Sequence, residues 1–239
     1  MNKYIKKIVL HSARILNVSL YKKLPRGIDP FRDIEFLIPS WKADIIFDVG
    51  ANTGQSALAY SKAFPTSRIF SFEPVPLTFN ILKNEVKKYP NISPYNLALS
   101  SAKGEGHIIE GDGSDTNRVA SFLLSTDRNN IKKTVSISTI DFFCHSNKIE
   151  KINYLKIDTE GGDLDVLKGA ESMLSSRAIE IIEVEAGVGH DNTLHVPLNN
   201  FISYLSSFGY AVFGFYDQMH EWRSSYPHLR RTNIVFILE

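Results

Sequence analysis

Short apolar runs alternate with amphipathic stretches along most of this chain. Residues 45–49 read Ile-Ile-Phe-Asp-Val, a brief run with β-branched residues and polar flanks, which predicts a strand buried on both faces. Residues 68–72, 92–99, 152–157, 179–184, 210–215 and 234–238 read the same way. Between them, helices are predicted over 55–64, 76–88, 138–145, 164–174 and 198–208, and a short one over 33–38 is ended by Pro39. In residues 164–174, for example, Leu164, Leu167, Ala170 and Leu174 share one helical face. Strand–helix units repeated at this length predict a doubly wound α/β fold, with a mostly parallel sheet covered on both sides.

Two regions break the rhythm. Gly104 and Gly106 bracket a hairpin strand, and the polar run from Gly111 to Asn117 predicts an exposed, mobile loop. Residues 111–130 are expected to fold over the ligand end of the sheet as an acceptor lid. Near the end of the chain, residues 216–230 show no helical pattern, so the last two strands are expected to form an antiparallel edge hairpin joined by a loop. Residues 1–43 are read as a basic helical segment and linker, and residues 44–239 as one domain.

Charge changes the picture only at the start. Seven of the 27 basic residues precede Asp29, whereas all 26 acids lie from Asp29 onward. The basic residues interleave with Ile5, Val9, Ala13, Leu16 and Leu20 at roughly helical spacing. An amphipathic helix capping the domain, and contact with an anionic membrane surface or a protein partner, are both readings of this segment. Nucleic-acid binding has no motif to support it. The segment lacks the apolar core and cleavage site of a signal peptide, and a cytoplasmic location is expected. The single cysteine, Cys144, excludes an internal disulfide and a four-cysteine zinc site, and reads as a half-buried helix thiol.

The chemistry concentrates at predicted strand ends, where open α/β sheets bind ligands. The first strand runs into Asp48-Val49-Gly50-Ala51-Asn52-Thr53-Gly54-Gln55. Gly50 and Gly54 permit a tight turn or close ligand approach, and Asp48 adds a carboxylate. This is neither the dinucleotide fingerprint G-x-G-x-x-G nor a P-loop. An acid here suits an ammonium-bearing ligand without phosphate, such as S-adenosylmethionine. Glu73, ahead of Pro74, lies where a dinucleotide fold places its ribose-binding acid, and Asn96 to Leu99, including Ala98, would form an adenine wall.

A second constellation follows the strand 152–157: Asp158-Thr159-Glu160-Gly161-Gly162-Asp163. Asp163 reads as a cap for the next helix. The next strand ends Glu183-Val184-Glu185. These acids can orient an acceptor hydroxyl, serve as general base, or hold a divalent cation through Asp158 with Glu183 or Glu185; the spacing leaves these uses open. His190, His195 and His220 lie in predicted loops, and His220 is the preferred base among them. The catalytic candidates, in falling order, are Asp158, Glu160, Glu185 and His220. Phe215, Tyr216 and Trp222 could stack on a sugar face.

Taken together, the segments 47–55, Phe72-Glu73-Pro74, Asn96 to Ser100 and above all 155–163, continued by Val166 to Ala170, resemble the FkbM family of S-adenosylmethionine-dependent methyltransferases. The likeness runs from about residue 27 to 185, with Gly162 a departure where the family more often carries Ala. It implies a Rossmann-like, seven-stranded methyltransferase fold with the last strand reversed. It also implies O-methylation of a hydroxyl on a sugar or other metabolite, a small-molecule or glycan acceptor. By the resemblance, Asp48, Gly50 and Gly54 serve the methionine side, Glu73 the ribose, and Asp158 and Glu160 the reaction cleft. A nicotinamide-dependent oxidoreductase and a silent binding protein on the same fold are the rival readings.

Overall fold

The computed structural model describes residues 25–109, 132–189, 192–222 and 225–239, with Lys7, Val9, His11, Ser12 and Ile15 before them. The expected basic helix lies almost wholly outside these residues, and so do the expected lid over 111–130 and His190.

The main sheet has seven strands: β1 (Ile45–Val49), β2 (Arg68–Phe72), β3 (Ile92–Tyr95), β7 (Ile152–Ile157), β8 (Ile179–Gly187), β9 (Tyr210–Trp222) and β10 (Pro227–Leu238). Their order is β3-β2-β1-β7-β8-β10-β9, and only β10 runs antiparallel to its neighbours. The order reverses between β1 and β7, so the carboxyl ends of β1, β2, β7 and β8 share one rim. This is the expected doubly wound sheet with its last strand reversed.

Both faces carry helices. On one side α1 (Pro30–Leu37), α2 (Gln55–Ala63) and α3 (Pro76–Glu85) cover a core containing Ile34, Ile46, Tyr60, Leu82 and Tyr154. On the other, α4 (Ile140–Asn147), α5 (Asp163–Lys168), α6 (Glu171–Ser175) and α7 (Leu198–Ser206) cover Phe47, Phe72, Phe143, Leu155 and Phe201. Cys144 is fully inside this second core, where burial pushes its thiol up to about 12.

Several boundaries differ from the sequence pattern, each for a physical reason. Helix α1 begins at Pro30 because Asp29 caps it, accepting the N–H groups of Phe31 and Arg32. The run 92–99 divides into β3 and β4 (Ala98–Leu99), which joins β5 (Gly104–Ile109) and β6 (Lys132–Ser138) in a separate small sheet. The helix predicted over 164–174 breaks into α5 and α6 at Gly169, where the backbone presses against Ser100. The stretch 216–230 is mostly strand, since β9 and β10 pair from Trp222 opposite Pro227 to Tyr210 opposite Leu238.

A methyl group on Gly169 would overlap the Ser100 carbonyl oxygen, whereas one on Gly104 would meet nothing. Gly169→Ala should therefore cost about 1–3 kcal/mol in urea unfolding, and Gly104→Ala should stay within about 0.5 kcal/mol of wild type. Equal effects would contradict the packing of β4 against the α5–α6 break.

Candidate active site at the carboxyl rim of the sheet

Three central strands carry a row of buried charges. Asp48 on β1 is paired in register with Lys156 on β7, and Lys156 with Glu183 on β8. Asp48 is 0% exposed, and its oxygens make no well-formed hydrogen bond. Burial pushes its carboxyl up to about 6, with Lys156 and the Ala57 N–H in the first turn of α2 opposing that rise. Lys156, 8% exposed, is pulled down by burial, but Asp158, Asp48 and Glu183 reverse this and hold it above the ordinary lysine range. Its ammonium donates to Asp158 Oδ2 at 3.0 Å.

The glycine turn closes over this row. Gly50 has φ +83°, and a Cβ there would overlap the backbone carbonyl of Asp158, so only glycine lets the β1 and β7 loops touch. Asn52 and Gly54 also have positive φ, and Gly54 precedes α2. Beside the turn, Glu73 is 2% exposed: its Oε2 accepts the Asn52 N–H at 3.0 Å and its Oε1 the Val75 N–H at 2.8 Å. Burial raises this carboxyl to about 7 despite both hydrogen bonds. Asn96 donates to the carbonyls of Glu73 and Pro74 and fixes the end of β2.

A cleft of about 180 Å³ opens here, with Phe72, Leu97 and Leu99 as apolar wall and Asn52, Glu73, Asp158 and Glu160 as polar rim. Gly50, Pro74 and Ala98 also line it. Of the other residues expected near the cofactor, Ala51 is buried in the α1–α3 core, while Asp48 and Gly54 lie behind the surface and shape the turn.

The acids of the second constellation separate. Asp158 and Glu160 face the cleft. Asp163 does not cap α5; it sits at that helix's first position and accepts the N–H groups of Thr159 and Gly161, tying down the preceding turn. Glu183 turns inward, accepting from the Tyr154 hydroxyl at 2.5 Å and from Asn233 at 2.8 Å. Glu185 is gripped by Arg231 and lies 2.7 Å from Nε2 of His195. Arg231 sits between two register shifts of the β9–β10 hairpin, the kind of irregularity that re-aims a strand side chain. His220 is exposed on β9 opposite Leu229. Phe215 and Trp222 are exposed, but Tyr216 is buried and donates to Asp33 at 3.1 Å, which removes it from any stacking surface. Among the described residues, the group able to hold a metal is Glu160, Glu185 and His195.

The sheet order, with β10 reversed, and the glycine turn at its rim define a Rossmann-like α/β fold. Residues 48–212, more than half of the chain, match the methyltransferase FkbM domain, and the chain belongs to that family. It is 34% identical over 146 residues to the hexuronic acid methyltransferase AglP of Haloferax volcanii, a match covering 61% of this chain and 57% of that protein. Over 176 residues it is 23% identical to the 2-O-methyltransferase NoeI of Sinorhizobium fredii, covering 69% and 72%. Among solved structures, Aeropyrum pernix fibrillarin with bound S-adenosyl-L-methionine is 15% identical, with a TM-score of 0.47 over 84% of this chain and 69% of that one.

Asp48 and Glu73 both bind a proton more tightly when folded, because their carboxyls rise from 3.8 to about 6 and from 4.5 to about 7. Their contribution to stability is full at acid pH and is lost as pH rises to about 7. Glu73→Gln should therefore shrink the ligand-free protein's stability difference between pH 5 and pH 8 by about 1–3 kcal/mol in urea unfolding. An unchanged difference would mean that Glu73 ionises in the fold without cost.

Proposed function

We propose that this protein transfers the methyl group of S-adenosylmethionine to a hydroxyl oxygen of a sugar, with a hexuronic acid residue as the leading acceptor. The observation that carries the reading is Glu73, whose two oxygens are already aimed by backbone N–H groups at the edge of an apolar-walled cleft. Each oxygen retains a lone pair for a ribose hydroxyl, and the apolar wall suits an adenine ring. The Asp48 carboxylate beneath the turn adds negative potential that favours the ligand's ammonium group. When bound, S-adenosylmethionine supplies an electrophilic methyl carbon on a sulfonium.

The protein's own work is then alignment and proton management. The acceptor oxygen must approach the methyl carbon opposite the sulfur, and holding both partners supplies much of the rate. Asp158 and Glu160 stand at the cleft mouth and accept hydrogen bonds from acceptor hydroxyls; one of them takes the proton released as the new C–O bond forms. Burial and the neighbouring Asp158 raise the Glu160 carboxyl above the ordinary value. Asp158 keeps one oxygen on Lys156, which fixes its orientation. The names of AglP and NoeI support a sugar hydroxyl as acceptor.

Calorimetric titration should show one S-adenosylmethionine or S-adenosylhomocysteine bound per chain, with Glu73→Gln weakening it by about 1–3 kcal/mol. No heat and no thermal shift in folded protein would refute the donor assignment. With glucuronic or galacturonic acid glycans as acceptors, mass spectrometry should find an O-methyl group. Asp158→Asn or Glu160→Gln should slow transfer at least ~10²-fold. Methylation confined to nitrogen, or full activity in both variants, would overturn the acceptor and its residues.

A further inference from the structure

Beside the cleft, three side chains from separate segments converge. Glu160 Oε2 lies 3.9 Å and Glu185 Oε2 2.7 Å from Nε2 of His195, and one ligand atom from each residue falls within 4.8 Å of the others. His195 is 8% exposed, and its other ring nitrogen, Nδ1, lies 3.0 Å from Asn192 Oδ1. That Asn192 atom is the amide oxygen, because it also accepts the N–H groups of Leu194 and His195. Nδ1 must therefore carry the proton and donate. Nε2 then turns its remaining position toward a carboxylate oxygen at close range, and a cation has to lie between them: a proton or a metal ion.

Three further features favour the metal. A histidine oriented by a side-chain oxygen on one nitrogen, with the other nitrogen facing carboxylates, has the arrangement of a metal ligand with its supporting partner. Arg231 holds Oε1 of Glu185 and leaves Oε2 on the histidine side. Glu160 adopts φ +53°, and Gly161, at φ +105°, has no room for a Cβ against the Leu194 carbonyl, so the turn is locked onto the loop that carries His195. Backbone held in this sparsely populated region is costly, and such positions cluster at ligand clamps.

We infer that Glu160, Glu185 and His195 form a divalent-cation site at the acceptor side of the cleft. Two carboxylates and one imidazole suit a first-row divalent ion such as Mn²⁺ or Zn²⁺. Two acids against one arginine leave the group negative, and a divalent ion makes it positive, matched to an acceptor bearing a carboxylate beside a hydroxyl. Because Glu160 also borders the cleft, the ion would hold the acceptor oxygens next to the donor. This role for the ion rests on the methyl-transfer reading; the site itself does not.

Metal-stripped full-length protein titrated with Mn²⁺, followed by the paramagnetic resonance of the free ion, should take up one ion per chain. His195→Gln and Glu160→Gln should each weaken uptake at least ~10-fold, and the exposed Glu105→Gln should not. Co²⁺ bound to the wild-type chain should show a visible absorption band that is absent from Glu160→Gln, which carries the test if His195→Gln misfolds. No saturable uptake of either ion, or uptake indifferent to Glu160→Gln and His195→Gln, overturns the inference and leaves a Glu185–His195 ion pair. Donor binding measured on the same samples separates the two readings. If donor is taken up and Mn²⁺ is not, only the metal site falls; if Mn²⁺ is taken up and donor is not, only the methyl-transfer reading falls.

Discussion

The active rim depends on one lysine buried among acids. Lys156 stands between Asp48 and Glu183 across adjacent strands and reaches Asp158 at the strand end. Burying the Asp48 and Glu183 carboxylates costs several kcal/mol unless they are paired, and a single ammonium serves both. Removing it would leave two buried acids to neutralise themselves by taking up protons, and the negative field under the glycine turn would fade. The contact between the Gly50 and Asp158 backbones depends on the same register, because the turn sits directly over the row.

From that row outward, the rim divides into two parts. The β1 and β2 ends, with their glycine turn and Glu73, form the hydrogen-bonded, apolar-walled hollow proposed as the donor seat. The β7 and β8 ends, with Glu160, Glu185 and His195, form a charged seat beside it. Asp158 belongs to both, lining the cleft while bound to the lysine beneath. This division suits a two-substrate transfer, with one partner held against the apolar wall and Glu73 and the other beside the charged group.

Much of this was legible in the residues themselves. Apolar runs at parallel-strand length announced the sheet, and the turns following 45–49, 68–72 and 152–157 placed Gly50, Glu73, Asp158 and Glu160 at one rim, where they line the cleft. Features set by tertiary contact were not legible. The break between α5 and α6 exists because Gly169 meets Ser100, a contact between residues far apart in sequence. The extension of the last hairpin is read from pairing rather than from alternation, since His220 and Glu221 look like loop residues. His195 was one of three loop histidines without distinguishing spacing, and only the pairing of Gly187 with Val196 brings it to Glu185. Lys156 did leave a signal: a lysine between Leu155 and Ile157 in a predicted buried strand, two residues before an acid, implies a buried counter-charge.

A crystal structure with S-adenosylhomocysteine bound would test most directly the proposed donor seat on Glu73 beside a charged acceptor seat. The ribose hydroxyls should lie within about 3 Å of both Glu73 oxygens. The adenine should lie against Leu97 and Leu99, with the sulfur directed toward Asp158 and Glu160. Ligand bound elsewhere, or ribose oriented away from Glu73 with the sulfur facing β3, would contradict that seat.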